Sequence, residues 1–152
     1  RLRLSAAECN AAVGACSRSQ ACSYALQLVE QMKAGTLQPD LVTYNSAITA
    51  CERASLPGRA LALAEEMRVR LLRPDVITCS AVVGACARGT ELAQALELLA
   101  DLGRCWGLQP DLVLYGSLLA ASQDRWETAL RLLGSLRESA LQPDGVAYSA
   151  AV

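Results

Sequence analysis

The chain has 152 residues, 53 % of them hydrophobic and 19 % charged, a balance that allows a buried core and excludes a disordered polymer. The formal net charge is −1 and there is no histidine, which argues against a strong non-specific hold on nucleic acid and excludes His-based acid–base catalysis within this sequence. Its apolar runs are short and interrupted by charge, so we expect no membrane span. The chain starts at Arg1 and ends in an apolar stretch at Val152, and we expect it to be a piece of a longer protein.

Four copies of a Leu-x-Pro-Asp motif divide the sequence. They begin at Leu37, Leu72, Leu108 and Leu141, so that successive copies lie 35, 36 and 33 residues apart. Proline cannot continue a helix, and the aspartate beside it suits the start of the next one. A motif that returns at such a period indicates an array of repeated structural units.

Each unit contains two stretches in which apolar residues recur at i, i+3, i+4 and i+7, the spacing of one helical face. In the first stretch of successive units this face consists of Cys9, Ala12, Val13 and Cys16; Tyr44, Ala47, Ile48 and Cys51; Cys79, Val82, Val83 and Cys86; Tyr115, Leu118, Leu119 and Ser122. The second stretch repeats it as Ala25, Leu28, Val29 and Met32; Ala60, Leu63, Ala64 and Met67; Ala95, Leu98, Leu99 and Leu102; Ala129, Leu132, Leu133 and Leu136. We therefore expect first helices near residues 7–17, 42–53, 77–88 and 113–123.

Each unit is thus predicted to be a helical hairpin of about 35 residues. The units are 6–40, 41–75, 76–111 and 112–144, with a partial fifth from Gly145. One hairpin cannot bury both of its apolar faces, whereas stacked hairpins can. The predicted fold is an all-α solenoid that forms a single array over residues 1–152. One extra residue near "GRCWG" and two missing residues near "SQDRWET" fall in loops, which tolerate changes of length.

The seven cysteines are predicted to be reduced packing residues. None forms a Cys-x-x-Cys pair, and there is no histidine to complete a mixed zinc site, so no metal is expected. Cys16, Cys51 and Cys86 recur at one register of the first helices, where we expect small apolar side chains to face the interior.

The second unit reads "LVTYNSAITACERA…RALALAEEMRVRLLRPD". The apolar-apolar-Thr-Tyr-Asn opening, the Ala-Leu-x-Leu of the second helix, the methionine near its end and the closing Pro-Asp resemble the pentatricopeptide repeat family. Tetratricopeptide repeats have a similar length, but their Trp-Leu-Gly-Tyr pattern is missing. The resemblance is closest for 41–75, weaker for 112–144, and covers nearly the whole chain. It implies a right-handed superhelix that binds single-stranded RNA at one base per repeat.

The resemblance also implies a role for individual residues. In the family the fifth and last residues of each repeat read the base, which gives the pairs Asn10 with Asp40, Asn45 with Asp75, Ser80 with Asp111, and Gly116 with Asp144. The second residue packs against the base, which gives Val42, Ile77 and Val113, with the smaller Ala7 in the first repeat. Family pairings imply that Asn with Asp prefers uracil and Ser with Asp prefers guanine. The first three repeats would read U-U-G from the 5′ end, with the fourth base loosely specified because Gly116 has no side chain.

A sequence pattern indicates the same binding surface independently of the family resemblance. A polar head, a small or hydroxyl residue and an arginine recur at i, i+4 and i+8 on one side of three first helices, as Asn10, Gly14 and Arg18; Asn45, Thr49 and Arg53; Ser80, Gly84 and Arg88. Stacked hairpins would bring these strips side by side, with the heads toward base edges and the arginines toward phosphates. The alternative is that the polar heads and aspartates only cap helices and that the arginines are solvated helix ends. In the fourth unit the arginine position is Asp124, with Arg125 beside it.

The leading interpretation is a sequence-selective array for single-stranded RNA without catalysis of its own. It needs no cofactor, no metal, no membrane and no small-molecule substrate, and the family's usual setting is the mitochondrion or plastid. Such arrays guide RNA processing, stability, editing or translation. A second interpretation is a scaffold that binds protein partners, since helical solenoids also offer long surfaces to peptides. A third is the RNA-targeting part of a larger organellar enzyme.

Overall fold

The structure, a computed structural model, describes residues 5–19, 21–88, 93, 94, 97, 112–122 and 126–138. Within these ranges the regular elements are α-helices, with no strand. They are α1 (Ala6–Arg18), α2 (Cys22–Ala34), α3 (Leu41–Arg53), α4 (Pro57–Val69), α5 (Val76–Arg88), α6 (Leu112–Ala121) and α7 (Trp126–Glu138). The first helix of each unit begins one residue before its predicted start, and in the first three units a capping residue directly precedes it.

The helices begin where the sequence supplies a cap. Ser5 caps α1 and Asp40 caps α3, each in a reciprocal arrangement with the residue three positions later, Glu8 or Thr43. The side chain accepts a hydrogen bond from the third backbone N–H of the helix, and the later side chain accepts one from the cap residue's own N–H. In α4 the first helical residue is Pro57, whose missing N–H costs nothing at that position.

The helices end in tight turns that the period of the array requires. After α3 the Leu56 N–H donates to the Cys51 carbonyl, and after α4 the Leu72 N–H donates to the Met67 carbonyl. This backbone pattern satisfies orphan carbonyls at a helix end and needs a left-handed residue just before the donor. Ser55 and Leu71 occupy those positions with φ of 54° and 59°.

The described helices pack only against near neighbours in the chain. The first helices form one row in which α1 contacts α3, α3 contacts α5 and α5 contacts α6. The second helices form another row, with α2 against α1 and α3, and α4 against α3 and α5. The all-α solenoid predicted from the sequence is therefore confirmed. None of the helices in the described part of the chain is both long and apolar enough to cross a membrane.

The core lies between the two rows and is built from the predicted helical faces. Tyr44, Ala47, Ile48 and Cys51 of α3 are all fully buried. Alanines on the second helices, such as Ala25 and Ala60, are buried as well. Because these side chains are small, neighbouring helix backbones can approach closely and the larger side chains fill the remaining space at crystal-like density.

The cysteines behave as packing residues in the described part of the chain. Cys51 and Cys86 are buried, and Cys16 is partly buried and packs against the same core. Cys16 is less covered because α1 packs against two of the described helices, whereas α3 packs against four. The Sγ atoms of Cys22 and Cys51 lie 3.5 Å apart, at hydrogen-bond distance, and form no disulfide. Burial raises the pKa of Cys51 to about 12, which keeps this thiol protonated and unreactive.

A polar cluster ties the second-helix side of the first two units together. Glu66 of α4 accepts hydrogen bonds from Lys33 of α2, from the hydroxyl of buried Tyr44 and from Arg70, at 2.6, 3.0 and 3.2 Å. Burial raises the pKa of Glu66, but the hydrogen bonds from Lys33 and Tyr44 lower it more, so the net pKa is below its ordinary value. The cluster joins three helices and holds the second unit against the first.

The extra residue near "GRCWG" lies outside the described residues, as does most of the loop near "SQDRWET". Most of the predicted second helix of the third unit lies outside them too, as does the start of the fifth unit. The unit boundaries 6–40, 41–75, 76–111 and 112–144 therefore stay predictions.

The left-handed backbone at Leu71 leads to a stability prediction. A left-handed conformation costs a residue with a Cβ about 1–2 kcal/mol, whereas glycine adopts it freely. The Leu71 side chain is 86 % exposed, so its loss removes little packing. Allowing for the greater freedom of glycine in the unfolded chain, Leu71→Gly should raise the free energy of unfolding by about 0.5–1 kcal/mol, measured by urea denaturation.

Thr36 provides the matched control. It occupies the equivalent place one unit earlier, after α2, and its backbone is not among the left-handed positions. Thr36→Gly should therefore leave stability unchanged or lower it. Equal effects of the two substitutions would show that the turn after α4 is not strained by its leucine.

Candidate nucleic-acid interface

The candidate interface is the surface of the first-helix row that carries the predicted polar heads. Asn10 on α1, Asn45 on α3 and Ser80 on α5 are each partly buried and partly open. Because α1 packs on α3 and α3 on α5, the three heads follow one another along a single row. Each lies on the fifth residue of its helix-forming segment, about one turn from the cap.

The structure brings each described asparagine to the aspartate that ends its own unit. The Asn10 Nδ2 atom donates to both carboxylate oxygens of Asp40 at 3.1 Å, and Asn45 Nδ2 does the same to Asp75 at 3.1 Å. The partners are 30 residues apart in the chain in both cases. The two predicted reader pairs are therefore side-chain pairs joined by hydrogen bonds, and not separate surface residues.

A threonine completes each pair from the following unit. The Thr43 hydroxyl donates to Asn10 Oδ1 and also lies 2.9 Å from Asp40 Oδ1. Thr78 makes the same two contacts with Asn45 and Asp75. Both threonines are buried, and both accept the backbone N–H of the capping aspartate. Each Asn–Asp–Thr triad thus joins two consecutive units.

The aspartates are held in the ionised form. Burial raises the pKa of Asp40, but hydrogen bonds from the Thr43 backbone and hydroxyl and from Asn10 lower it more, so that the net pKa lies below 3.8. The same causes give Asp75 a lowered pKa, with Thr78 and Asn45 as the donors. A carboxylate that receives several donors is stabilised as an anion, and it keeps lone pairs available toward solvent.

The predicted base-packing residues lie beside the heads. The Val42 side chain is 57 % exposed and that of Ile77 is 60 % exposed, although both are large and apolar. Each is three residues before a polar head, and residues at i and i+3 are neighbours on a helix surface. Ala7 is exposed at the equivalent place on α1. Val113 lies on α6, and its side chain is outside the described part.

The predicted phosphate residues differ in their surroundings. Arg18 is exposed at the end of α1. Arg53 is exposed as well, but its Nη1 donates to the Ser17 carbonyl of the preceding unit at 3.3 Å. One bond leaves most of the five guanidinium donors unused, so Arg53 can hold the end of α1 and still meet an anion. Arg88 ends α5, and its side chain is outside the described residues.

The residues between the polar heads and the arginines differ in how closely neighbouring side chains approach them. A Cβ added at Gly14 would be no closer than 3.8 Å to Arg18. A Cβ at Gly84 would lie 2.6 Å from Oε1 of Glu52 on α3. Gly84 thus leaves room for a side chain of the preceding unit. Thr49 instead donates its hydroxyl to the backbone carbonyl of Asn45 at 2.8 Å.

The remaining predicted readers are only partly within the described chain. Ser80 is described, but its predicted partner Asp111 is not, and Asp144 lies outside as well. Gly116 is partly exposed, and an added Cβ there would meet nothing within 4 Å. Among the described residues there is no cluster of three or more groups able to hold a metal ion.

The role of the threonines in the triads is not evident from the sequence alone. In the sequence, Thr43 and Thr78 belong to the opening of a unit, three residues after an aspartate. That Asp-x-x-Thr spacing is a capping-box signal, which could have placed the hydroxyl at the aspartate. The contact to an asparagine of the preceding unit depends on how two hairpins stack, and no spacing within one unit reveals it.

Comparison with family models places repeats of one kind over much of the chain. Residues 39–88 match the PPR repeat family, and residues 1–53 match the pentatricopeptide repeat domain. No curated protein sequence matches the chain.

Solved structures of the same kind match nearly the full chain. The pentatricopeptide repeat protein PPR10 in complex with an 18-nt psaJ RNA element is 32 % identical with a TM-score of 0.81, over 98 % of this chain and 22 % of that one. PPR10 from maize is 25 % identical with a TM-score of 0.80, over 99 % of this chain and 22 % of that one. The PPR domain of Arabidopsis thaliana protein-only RNase P 1, in complex with tRNA, is 20 % identical with a TM-score of 0.77, over 91 % and 74 %, which shows a shared fold. This chain spans about a fifth of the length of PPR10.

The lowered pKa of Asp75 predicts a pH dependence of stability. A carboxylate with a lowered folded pKa contributes stability that is fully present above its unfolded value of 3.8 and is lost as pH falls through the folded pKa. Asparagine also caps helices well, so Asp75→Asn should remove mainly the charged part of these hydrogen bonds. We expect about 1 kcal/mol lower stability at pH 6, and a smaller further loss than wild type between pH 4 and pH 2.5.

Urea unfolding at fixed ionic strength at several pH values measures both quantities. Glu97→Gln, at an exposed position, controls for the removal of one negative charge and should follow the wild-type profile closely. If Asp75→Asn loses as much stability in acid as wild type, the triad carboxylate does not titrate as inferred.

Proposed function

We propose that this chain, which belongs to the pentatricopeptide repeat family, binds single-stranded RNA as a sequence-selective array without catalysis of its own. The observation that carries the proposal is the recurrence of one side-chain pair. Asn10 with Asp40 and Asn45 with Asp75 have the same bonding and the same 3.1 Å distances in consecutive units. A cap alone requires the aspartate but not an asparagine 30 residues earlier.

The hydrogen bonds decide what each pair offers to a base. One amide hydrogen of Asn45 goes to Asp75, and one lone pair of its carbonyl goes to Thr78. The second amide hydrogen and the second carbonyl lone pair remain, so the side chain presents one donor next to one acceptor. The uracil edge has an N–H donor beside a carbonyl acceptor, which complements this order.

A serine at the same place would present a different pattern. Its hydroxyl has one proton, which the carboxylate attracts, so that the hydroxyl oxygen and the carboxylate both face outward as acceptors. Guanine presents adjacent N–H donors, which fit two acceptors. We therefore expect the units with Asn10, Asn45 and Ser80 to read U-U-G from the 5′ end.

The exposed apolar residues support a base-binding surface. Val42 and Ile77 keep more than half of their side-chain area open beside the heads, and bases have apolar faces that such side chains can cover. Relatives supply independent support, because PPR10 is solved with an 18-nt RNA element. On family grounds we further propose a mitochondrial or plastid location.

A scaffold that binds protein is the second candidate. The net charge of −1, from 14 basic and 15 acidic residues, gives little general attraction to nucleic acid. Binding to RNA, DNA and peptide panels at two salt concentrations separates the candidates. The array of a larger enzyme is compatible with RNA binding, as in the tRNA complex of a protein-only RNase P domain.

Asn45→Ser should change the base read at the second position. We expect preference there to move from uracil toward guanine, with the first and third positions unchanged. A well-made base contact is worth about 1–3 kcal/mol of discrimination in the DNA case, so the change should reach about five-fold or more. Competition binding with RNAs that differ only at the second base measures it.

Asn10→Ser is the matched control, because it should move the first position and leave the second alone. If both variants rank the four bases as wild type does, the asparagines are not readers. The interpretation of the chain as a protein-binding scaffold would then be favoured.

Arg53→Gln should weaken binding to all RNA sequences about equally. The guanidinium lies exposed at the end of α3, and each phosphate contact to a single strand contributes about 0.7 to the slope of log K against log salt. The slope should fall by that amount, as measured by titrations between 50 and 200 mM salt.

Arg53→Lys controls for charge and should keep the slope. Because Arg53 also bonds the Ser17 carbonyl, a thermal melt of each variant checks that α1 stays folded. An unchanged slope and affinity for a folded Arg53→Gln would place the arginine in solvent and leave it a helix-end donor.

A further inference from the structure

We infer that Thr43 and Thr78 are positioning residues that fix the amide orientation of the asparagine in the preceding unit and thereby set its preference for uracil over cytosine. The inference rests on the proposed function and extends it from one unit to its neighbour. The observation is that the Asn10 carbonyl accepts from Thr43, and the Asn45 carbonyl from Thr78. Each threonine belongs to the unit after the one whose base it would influence.

The two contacts of each asparagine act from opposite ends of its amide. The carboxylate of Asp40 requires the Nδ2 side, because only that side donates. The Thr43 hydroxyl oxygen already accepts the Asp40 backbone N–H, so its proton is directed to acceptors, one of which is Asn10 Oδ1. A reversed amide would put its carbonyl against a carboxylate and its NH₂ against a hydroxyl that is donating.

A fixed orientation matters because uracil and cytosine differ in the order of the same groups. Uracil presents a ring N–H donor beside a carbonyl acceptor. Cytosine presents a ring nitrogen acceptor beside an amino donor. An asparagine that can turn over satisfies either edge, whereas one that is held from both ends satisfies one of them. The threonine therefore acts on specificity more than on affinity.

The distribution of the threonines over the units agrees with this role. The third residue of the unit after Asn10 is Thr43, and the third residue of the unit after Asn45 is Thr78. The corresponding residue for Ser80 is the buried Leu114, and for Gly116 it is Ala147. Ser80 and Gly116 have no side-chain amide to orient, and the units that follow them have no hydroxyl residue at the third position.

Capping alone does not account for the threonine contacts. Thr43 completes a capping box with Asp40, and for that purpose it needs only to accept the aspartate N–H. Its hydroxyl also lies within hydrogen-bond distance of Asn10 Oδ1, across the unit boundary and 33 residues earlier, a contact that the cap does not require. The same separation recurs between Thr78 and Asn45.

The test is Thr43→Val, which keeps the side-chain shape and removes the hydroxyl. The ratio of affinities for uracil over cytosine at the first base, read by Asn10, should fall by about five-fold, the value of one ordinary hydrogen bond. The ratio at the second base, read by Asn45 with its own Thr78, should not change. Thr43→Ser keeps the hydroxyl and should restore the ratio, and Thr78→Val should repeat the effect one base later. Competition binding with RNAs that carry uracil or cytosine at one position measures both ratios.

A second measurement is independent of RNA. In the ¹⁵N spectrum of the free chain, the side-chain amide of Asn10 should become more mobile in Thr43→Val and stay as in wild type in Thr43→Ser. An amide that is equally rigid in Thr43→Val overturns the inference. An unchanged uracil-to-cytosine ratio in Thr43→Val also overturns the inference. If Asn45→Ser nevertheless changes the preference at the second base, the proposed function survives. If Asn45→Ser moves nothing, the proposed function fails, and the amide measurement alone decides the role of threonine.

Discussion

The aspartate at each junction between units is the constraint on which the rest depends. Asp40 accepts the Thr43 backbone N–H at 2.9 Å and the Asn10 amide at 3.1 Å with the same carboxylate. The first bond starts a helix and the second orders a surface side chain. Because one group does both, the start of α3 cannot shift without moving the side chain of the preceding unit. Helix capping, stacking of hairpins and the geometry of the surface are therefore a single interaction repeated at Asp75.

Two different sets of contacts hold the first and second units in register. On the first-helix side the link is the Asn–Asp–Thr triad. On the second-helix side it is the cluster around Glu66, which reaches Lys33 of the first unit and the hydroxyl of Tyr44. The buried alanines and cysteines between them allow close approach but have little direction of their own. Polar groups at both edges supply the direction, because their hydrogen bonds join specific atoms of the two units.

The parts of this structure that depend on period could be predicted from sequence, and the parts that depend on stacking could not. The helical faces followed from spacing, and Tyr44, Ile48 and Cys51 are buried as predicted. Cys16 shares their register but is only partly buried, because fewer of the described helices pack against α1 than against α3, and the number of neighbours is not a property of its own unit. Leu71 adopts a left-handed backbone that its residue type does not favour. The threonine hydroxyls show the same limit, since their partners lie 33 residues away in the neighbouring hairpin.

Because the chain carries almost no net charge, its ordered side chains are central to the proposed binding of RNA. With 14 basic and 15 acidic residues, the chain gains little from releasing counterions, the term that dominates non-specific binding to nucleic acids. In the proposed function, most of the affinity for a strand would come from base contacts and from packing against exposed residues such as Val42 and Ile77. Such contacts contribute most when the protein side chains are already fixed, because these side chains then lose less conformational entropy on binding. The triads hold their asparagines in place in the free protein, and this order is what the proposed selectivity requires of an array with almost no net charge.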